Sequence, residues 1–276
     1  MNEMNHWGLN AKERDQLGWT DAIWDDIKTV VSAEAEAARK VRPALPPFGE
    51  PFSDPDNIFD YSIDDAAVIS IPSRQRLVSA ELSRPLQIRP DQHGNAGVAK
   101  ALATRAAHQL GVAEDAALLL GAGARDFLRD LNVAEENLDQ QSSRLIQENQ
   151  DPIDRPILDS ILEAIQNLRN RGEFGGYRAI VAPDLYRQAF QPQQNLLDAP
   201  IHQIRAELVE DGFHYSQAAP EGTGAVISLG GGTLYITVPV DPTVSWSGEV
   251  NRNIVLNIVE RFRLLVNIEA AVEPLR

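Results

Sequence analysis

Hydrophobic and polar positions change period several times along this chain, and each change marks an element. Trp24, Ile27, Val30 and Val31 recur at helical spacing behind Thr20 and Asp21, residues that suit a helix N-cap. This predicts a helix from Thr20 to about Lys40, with Pro43 as its stop. Its second half, 33–38, is mostly alanine and glutamate. That predicts packing through one small-residue stripe, or exposure until a partner covers it. Residues 45–60 carry Pro, Asp, Gly and Phe, which is loop chemistry. The period then drops to two. Ala67, Ile69 and Ile71 share one parity; after Pro72 and Ser73, Val78, Ala80, Leu82, Leu86 and Ile88 alternate with Ser79, Glu81, Ser83 and Gln87. Such alternation predicts a long antiparallel hairpin, half-buried and awkward as a projecting arm of a monomer.

Residues 97–120 return to helical chemistry, with so many alanines that neighbouring backbones can approach closely. We read a buried spine helix ended by Gly121 and Gly123. The stretch 132–154 is polar and acidic and reads as surface. Pro156 opens a third helix with Ile157, Ile161, Ile165 and Leu168 on one face. A short buried strand (177–182), a helix from Pro183 through Phe190, a Gln- and Asn-rich loop (191–200) and an amphipathic helix (201–210) follow. The glycines Gly230, Gly231 and Gly232 read as a hairpin turn. In the last segment Ile254, Leu256, Ile258, Phe262, Leu264, Val266 and Ile268 share one face; Asn253, Asn257, Arg261, Arg263 and Asn267 share the other. At about 3.3 Å per residue this strand is roughly 50 Å long, unusual for a compact enzyme. Two over-long β elements and one spine helix suggest a subunit that reaches its neighbours.

Composition narrows the function classes. The 276 residues make one large domain or two small ones. Forty acidic against 25 basic residues, a net charge of −15, argue against nucleic acid or an anionic membrane as partner. The absence of cysteine removes disulfides, thiolate metal sites and cysteine nucleophiles. No apolar run nears the ~20 residues of a spanning helix, and the start lacks the blocks of a signal peptide. A soluble, cytoplasmic protein is expected.

Candidate chemistry is sparse. His6, His93, His108, His202 and His214 show no ligand spacing, and no HExxH, phosphate loop or nucleophile elbow is present. Glu135, Glu136 and Asp139 lack the calcium-loop pattern and read as a solvated face. Catalytic residues, a metal and cofactors are therefore all expected to be absent.

The order of elements resembles the encapsulin shell proteins, relatives of the Hong Kong 97-type capsid fold. Three stretches carry the resemblance: Trp19 to Ile27 with its Trp19, Thr20, Trp24, Asp26 and Ile27; Ile161-Leu162-Glu163-Ala164-Ile165 followed by Gly176-Tyr177-Arg178-Ala179-Ile180-Val181; and Val266-Asn267-Ile268-Glu269-Ala270 near the end. The family's proline in the last stretch is Ile268 here. The resemblance covers about residue 19 to the end, through order and spacing together rather than any one motif.

It implies an α+β fold. Residues 1–44 form the N-terminal segment and helix, 45–89 an extended E-loop arm, 90–120 and 240–276 a peripheral (P) domain, and 121–239 an axial (A) domain. It further implies an icosahedral homo-oligomer of a multiple of sixty chains that encloses a cargo enzyme, with no nucleic-acid or membrane partner. The cargo's C-terminal targeting peptide would dock on the inner wall, where Ile27, Val30, Val31, Ala38 and Arg42 match the family's positions. Glu34 and Ala35 depart from its larger apolar residues. Asn195, Leu196, Leu197, Asp198 and Ala199 fall where the family has its five-fold pore loop; a plain surface loop is the other reading. A phage or prophage major capsid protein is the nearest alternative. The absence of a long segment before Trp19, and of any lysine in 45–89 for covalent cross-linking, weighs against it. A soluble enzyme or small-molecule binding protein is the alternative of another class.

Overall fold

A computed structural model describes residues 17–47, 62–63, 69–70, 79–140, 144–147, 150–192, 198–209, 212–266 and 268–276. Helix α1 (Asp21–Ala38) starts behind Thr20 as expected, but it ends two residues before Lys40, and Pro43 does not end it. The backbone N–H groups of Lys40 and Val41 donate instead to the carboxylate of Asp115, at 2.9–3.0 Å. Arg39 is then extended, and Pro43 lies inside the short 3-10 turn Arg42–Ala44 that follows.

Strands β1 (Ser62–Ile63) and β2 (Ile69–Ser70) form a two-residue antiparallel ribbon. The rest of the first half of the expected hairpin lies outside the described residues. Its second half is β3 (Ala80–Ile88), which among the described residues pairs with the strands Ala134–Glu136 and Asn253–Val266 and not with β2. All nine residues pair with the C-terminal strand, Ala80 opposite Phe262 and Ile88 opposite Ile254. Alternation identified the strand but not its partner. Burial chose it, because Leu82, Leu86 and Ile88 share a face with Leu256, Ile258 and Phe262.

Helix α2 (Ala96–Leu120) is the spine, capped by Asn95, whose side chain accepts from Val98 N. After α3 (Arg125–Asp130) comes β4 (Ala134–Glu136), which pairs with the outer edge of β3. The stretch expected to be surface is thus partly core. Leu138, Leu145 and Ile146 are buried, and the amides of Leu145 and Ile146 donate to the last carbonyls of α2, Leu118 O and Leu119 O. Leu138 and the adjacent pair Leu145 and Ile146, set among polar residues, leave no periodicity to detect.

The remaining elements are α4 (Ile157–Asn170), β5 (Tyr177–Val181), α5 (Pro183–Ala189), α6 (Pro200–Gln203), β6 (Phe213–Tyr215), β7 (Gly224–Ser228), β8 (Leu234–Val250), β9 (Asn253–Val266) and β10 (Val272–Pro274). The expected helix 201–210 is α6 continued by one π-helical turn, Ile204–Leu208. Two four-stranded sheets result. One is antiparallel in the order β4-β3-β9-β8; the other runs β10-β7-β5-β6, with β5 and β6 parallel. The glycine run is no hairpin turn but a 3-10 turn that carries the chain from β7 of one sheet to β8 of the other. Gly232 has φ +74°, and a Cβ on Gly230 would run into the carbonyl of Phe174.

The second sheet separates two apolar clusters. Ile180, Ala225 and Ile227 face the large cluster under α1, α2 and the first sheet. Tyr177, Ala179, Val181 and Val226 face a smaller one closed by α4. Strand β9 differs from expectation on both faces. Val255, Val259 and Leu265 bury the side that Asn257, Arg261 and Arg263 made look wet, and Glu260 lies on the apolar side with no exposure.

Candidate functional site

The N-terminal helix lies along the spine. Trp24, Ile27, Val31, Ala35 and Ala38 form its buried stripe. The second half packs as the sequence suggested, small against small: a Cβ on Gly111 of α2 would sit 2.6 Å from Ala35 O and 3.0 Å from Ala38 Cβ. Trp19 stacks obliquely on Trp24 at 4.9 Å and donates through Nε1 to His93 O at 2.7 Å. On the outer side two exposed pairs stitch the helices, Lys100 with Asp26 at 2.7 Å and His108 with Glu34 at 2.9 Å.

The five residues matched to a targeting-peptide groove therefore occupy three environments. Ile27, Val31 and Ala38 are buried in this chain's own helix packing, and Val30 is half-buried. Arg42 is committed within the chain. It pairs with Glu114 at 2.5 Å, with Glu260, and with the exposed Asp241 at 3.1 Å.

That commitment is part of a buried ionic junction that periodicity did not reveal. Arg39, 5% exposed, lies 3.3 Å from Glu114 Oε2 and 3.6 Å from Glu260 Oε1, and its Nε also donates to Ala35 O at 3.1 Å. Beside them Asp115 accepts from the amides after α1 and from Ser216 Oγ at 2.8 Å. Ser216 belongs to the loop between β6 and β7, so one carboxylate touches α1's end, the spine and the second sheet's loop. Burial pushes the Asp115 carboxyl up to about 7, helped by the neighbouring Glu114 charge and opposed by the donors from Val41, Lys40 and Ser216. Two signals could have found this junction: the adjacent acids Glu114 and Asp115 inside an alanine–leucine helix, and Glu260 at an apolar parity.

Of the residues matched to the pore loop, Asn195, Leu196 and Leu197 lie outside the described residues. Asp198 is exposed, and Ala199 is the N-cap of α6. Both border an open pocket of about 480 Å³ shared with His202, Gln203 and Glu207. Nearby, Tyr186 stacks on Phe213 at 5.2 Å, contacts Tyr215 at 4.7 Å and Phe190 at 5.2 Å, and accepts from Arg205 at 3.1 Å. His214 is held below its ordinary value by burial and by the charges of Arg178 and Arg205.

No group of three or more His, Cys, Asp or Glu fit to hold a metal occurs among the described residues. Glu135 and Asp139 are ion-paired with the exposed Arg125. No helix among the described residues is long and apolar enough to cross a membrane.

Comparison with known proteins gives these features a frame. The family model described as "Encapsulating protein for peroxidase" matches residues 10–263. The chain is 27% identical over 107 residues to the type 1 encapsulin shell protein EncA of Myxococcus xanthus, an alignment spanning 39% of this chain and 37% of that relative. The chain thus spans little more than a third of that relative's length. Among solved structures, the virus-like particle of Pyrococcus furiosus matches at TM-score 0.65 and 14% identity, over 93% of this chain and all of that one. The SrpI encapsulin complex of Synechococcus elongatus PCC 7942 matches at TM-score 0.53 and 11% identity, over 85% of each chain. The capsid of the myovirus XM1 matches at 0.54 and 11%, over 85% of this chain and 90% of that one.

Proposed function

Because this chain belongs to the encapsulin family, we propose that it is the subunit of a self-assembling icosahedral shell that encloses a protein cargo. The observation that carries the reading is the family match over residues 10–263 on a capsid-type fold. The fold alone is shared with phage heads, and the family match separates the two. It also places the chain among shell proteins rather than enzymes.

The finer assignments belong to the same reading. Residues 45–89 serve as the arm laid across a neighbouring subunit; 90–120 with 240–276 form the peripheral domain, and 121–239 the axial domain. A multiple of sixty chains closes the shell in the cytoplasm. The loop from Asn195 to Ala199 lines a pore for ions and small molecules. A cargo enzyme's C-terminal peptide docks along α1 and the peripheral domain. There the half-buried Val30 offers the contact surface, while Ile27, Val31, Ala38 and Arg42 hold the wall behind it.

The test is assembly. Size-exclusion chromatography and negative-stain microscopy should show closed particles, each chain burying far more than the ~1,600 Å² of a standard interface. Deleting residues 50–75 should leave a folded but unassembled chain. A parent protein found only at a few tens of kilodaltons, or intact particles from the deletion variant, would overturn the shell and arm assignments respectively.

A further inference from the structure

Three carboxylates, Glu114, Asp115 and Glu260, and two guanidiniums, Arg39 and Arg42, meet beneath the end of α1. Both guanidiniums turn to Glu114 and Glu260, and Arg42 also reaches Asp241 on β8. Asp115 is served differently. It accepts from the Lys40 and Val41 amides and the Ser216 hydroxyl, and the Glu114 charge sits beside it. The Lys40 ammonium turns away, to Ala37 O at 2.6 Å. Among the described residues the junction therefore balances two buried cations with two buried anions and leaves the third carboxylate over.

We propose that Asp115 is a proton-operated latch: neutral, it joins α1, the spine and the β6–β7 loop at the root of the arm; ionised, it loads that junction with an uncompensated buried charge and loosens it. The hydrogen bonds permit both states. Oδ1 accepts from Lys40 N and Val41 N at 3.0 and 2.9 Å in either. Oδ2 accepts from Ser216 Oγ at 2.8 Å and shares the Lys40 amide at 2.9 Å when ionised; protonated, it can donate to Ser216 Oγ and leave the Lys40 amide to Oδ1.

The direction follows from linkage. An unfolded aspartate ionises near 3.8, whereas the folded one holds its proton to about 7. Between these values the folded chain keeps a proton that the unfolded chain has lost. This group's contribution to stability therefore falls as pH rises from about 4 to about 7, and is flat above. The effect lies within one chain and does not depend on assembly.

The experiment compares melting midpoints of the parent and Asp115→Asn from pH 4 to 9 at one protein concentration. Asparagine keeps the Oδ1 acceptor for both amides and supplies a donor to Ser216, but loses the second Lys40 contact that Oδ2 accepts, a cost that does not vary with pH. Its advantage over the parent should grow by roughly 5–10 °C up to pH 7 and then stay constant. A difference that is constant across pH 4–7, or that moves toward the parent, overturns the latch. Ser216→Ala decides the matter even if Asp115→Asn fails to fold. It removes a donor that favours the carboxylate, so its pH-dependent loss should run to higher pH than the parent's. A profile identical to the parent's overturns the proposal.

Discussion

The two apolar clusters of this chain solve the same packing problem with different chemistry. Around the smaller one, α4 lays Ile157, Ile161, Ile165 and Leu168 on the second sheet, and the contact is apolar shape against apolar shape. Beneath the second half of α1, the spine packs through alanines and Gly111, and the close approach there leaves little room for branched side chains. Buried charge fills the remaining space: Glu114 and Glu260 have no exposure, and Arg39 and Arg42 are 5% and 14% exposed. The first arrangement needs only a local amphipathic pattern. The second needs residues from α1's end, the spine, β8 and β9 to arrive together, and it loses more when one of them fails.

The largest expected effect tests that asymmetry. Glu260→Ala leaves two buried guanidiniums with, among the described acids, only Glu114 and the exposed Asp241, and should cost about 3–5 kcal/mol. Denaturant midpoints at fixed protein concentration read this directly. A cost below that of the matching change in the other cluster would mean that the ions fill space without securing the junction.

That matching change is Ile161→Ala, at a fully buried position on α4. Lost transfer energy plus a residual cavity predict about 3 kcal/mol, read by the same denaturant series. The contrast also explains what the sequence made legible. Local pattern placed α4, β5, the spine and β9 almost to the residue, because α4 and β9 carry their own repeat, β5 a short apolar run and the spine its alanines. It assigned the stop of α1 to Pro43, whereas the amides just past the helix are held by Asp115, 74 and 75 residues away. Arg42 enters the sequence reading only through the family resemblance; its ion pairs were hidden because the acids come from the spine, β8 and β9. The same distance hid the partner of β3 and the buried place of Leu138, Leu145 and Ile146.

The smallest effect falls where the two helices of the spine side touch. Gly111→Ala adds a methyl 2.6 Å from Ala35 O and 3.3 Å from Arg39 N, against backbone that cannot step aside without moving α1. Overpacking of this kind costs about 1–3 kcal/mol, and the better helix propensity of alanine returns about 1. A net loss of about 1 kcal/mol is expected. The same carbonyl of Ala35 accepts from both the backbone N and Nε of Arg39 at 3.1 Å, so pushing it aside also displaces one arm of the ionic junction. Combining Gly111→Ala with Glu260→Ala should therefore cost less than the sum of the two, since the second change finds the junction already disturbed. Combining Gly111→Ala with Ile161→Ala should be additive, and denaturant double-mutant cycles distinguish the cases. Additivity in both would show that the helix contact and the buried ions are independent, and that the spine side is as modular as α4.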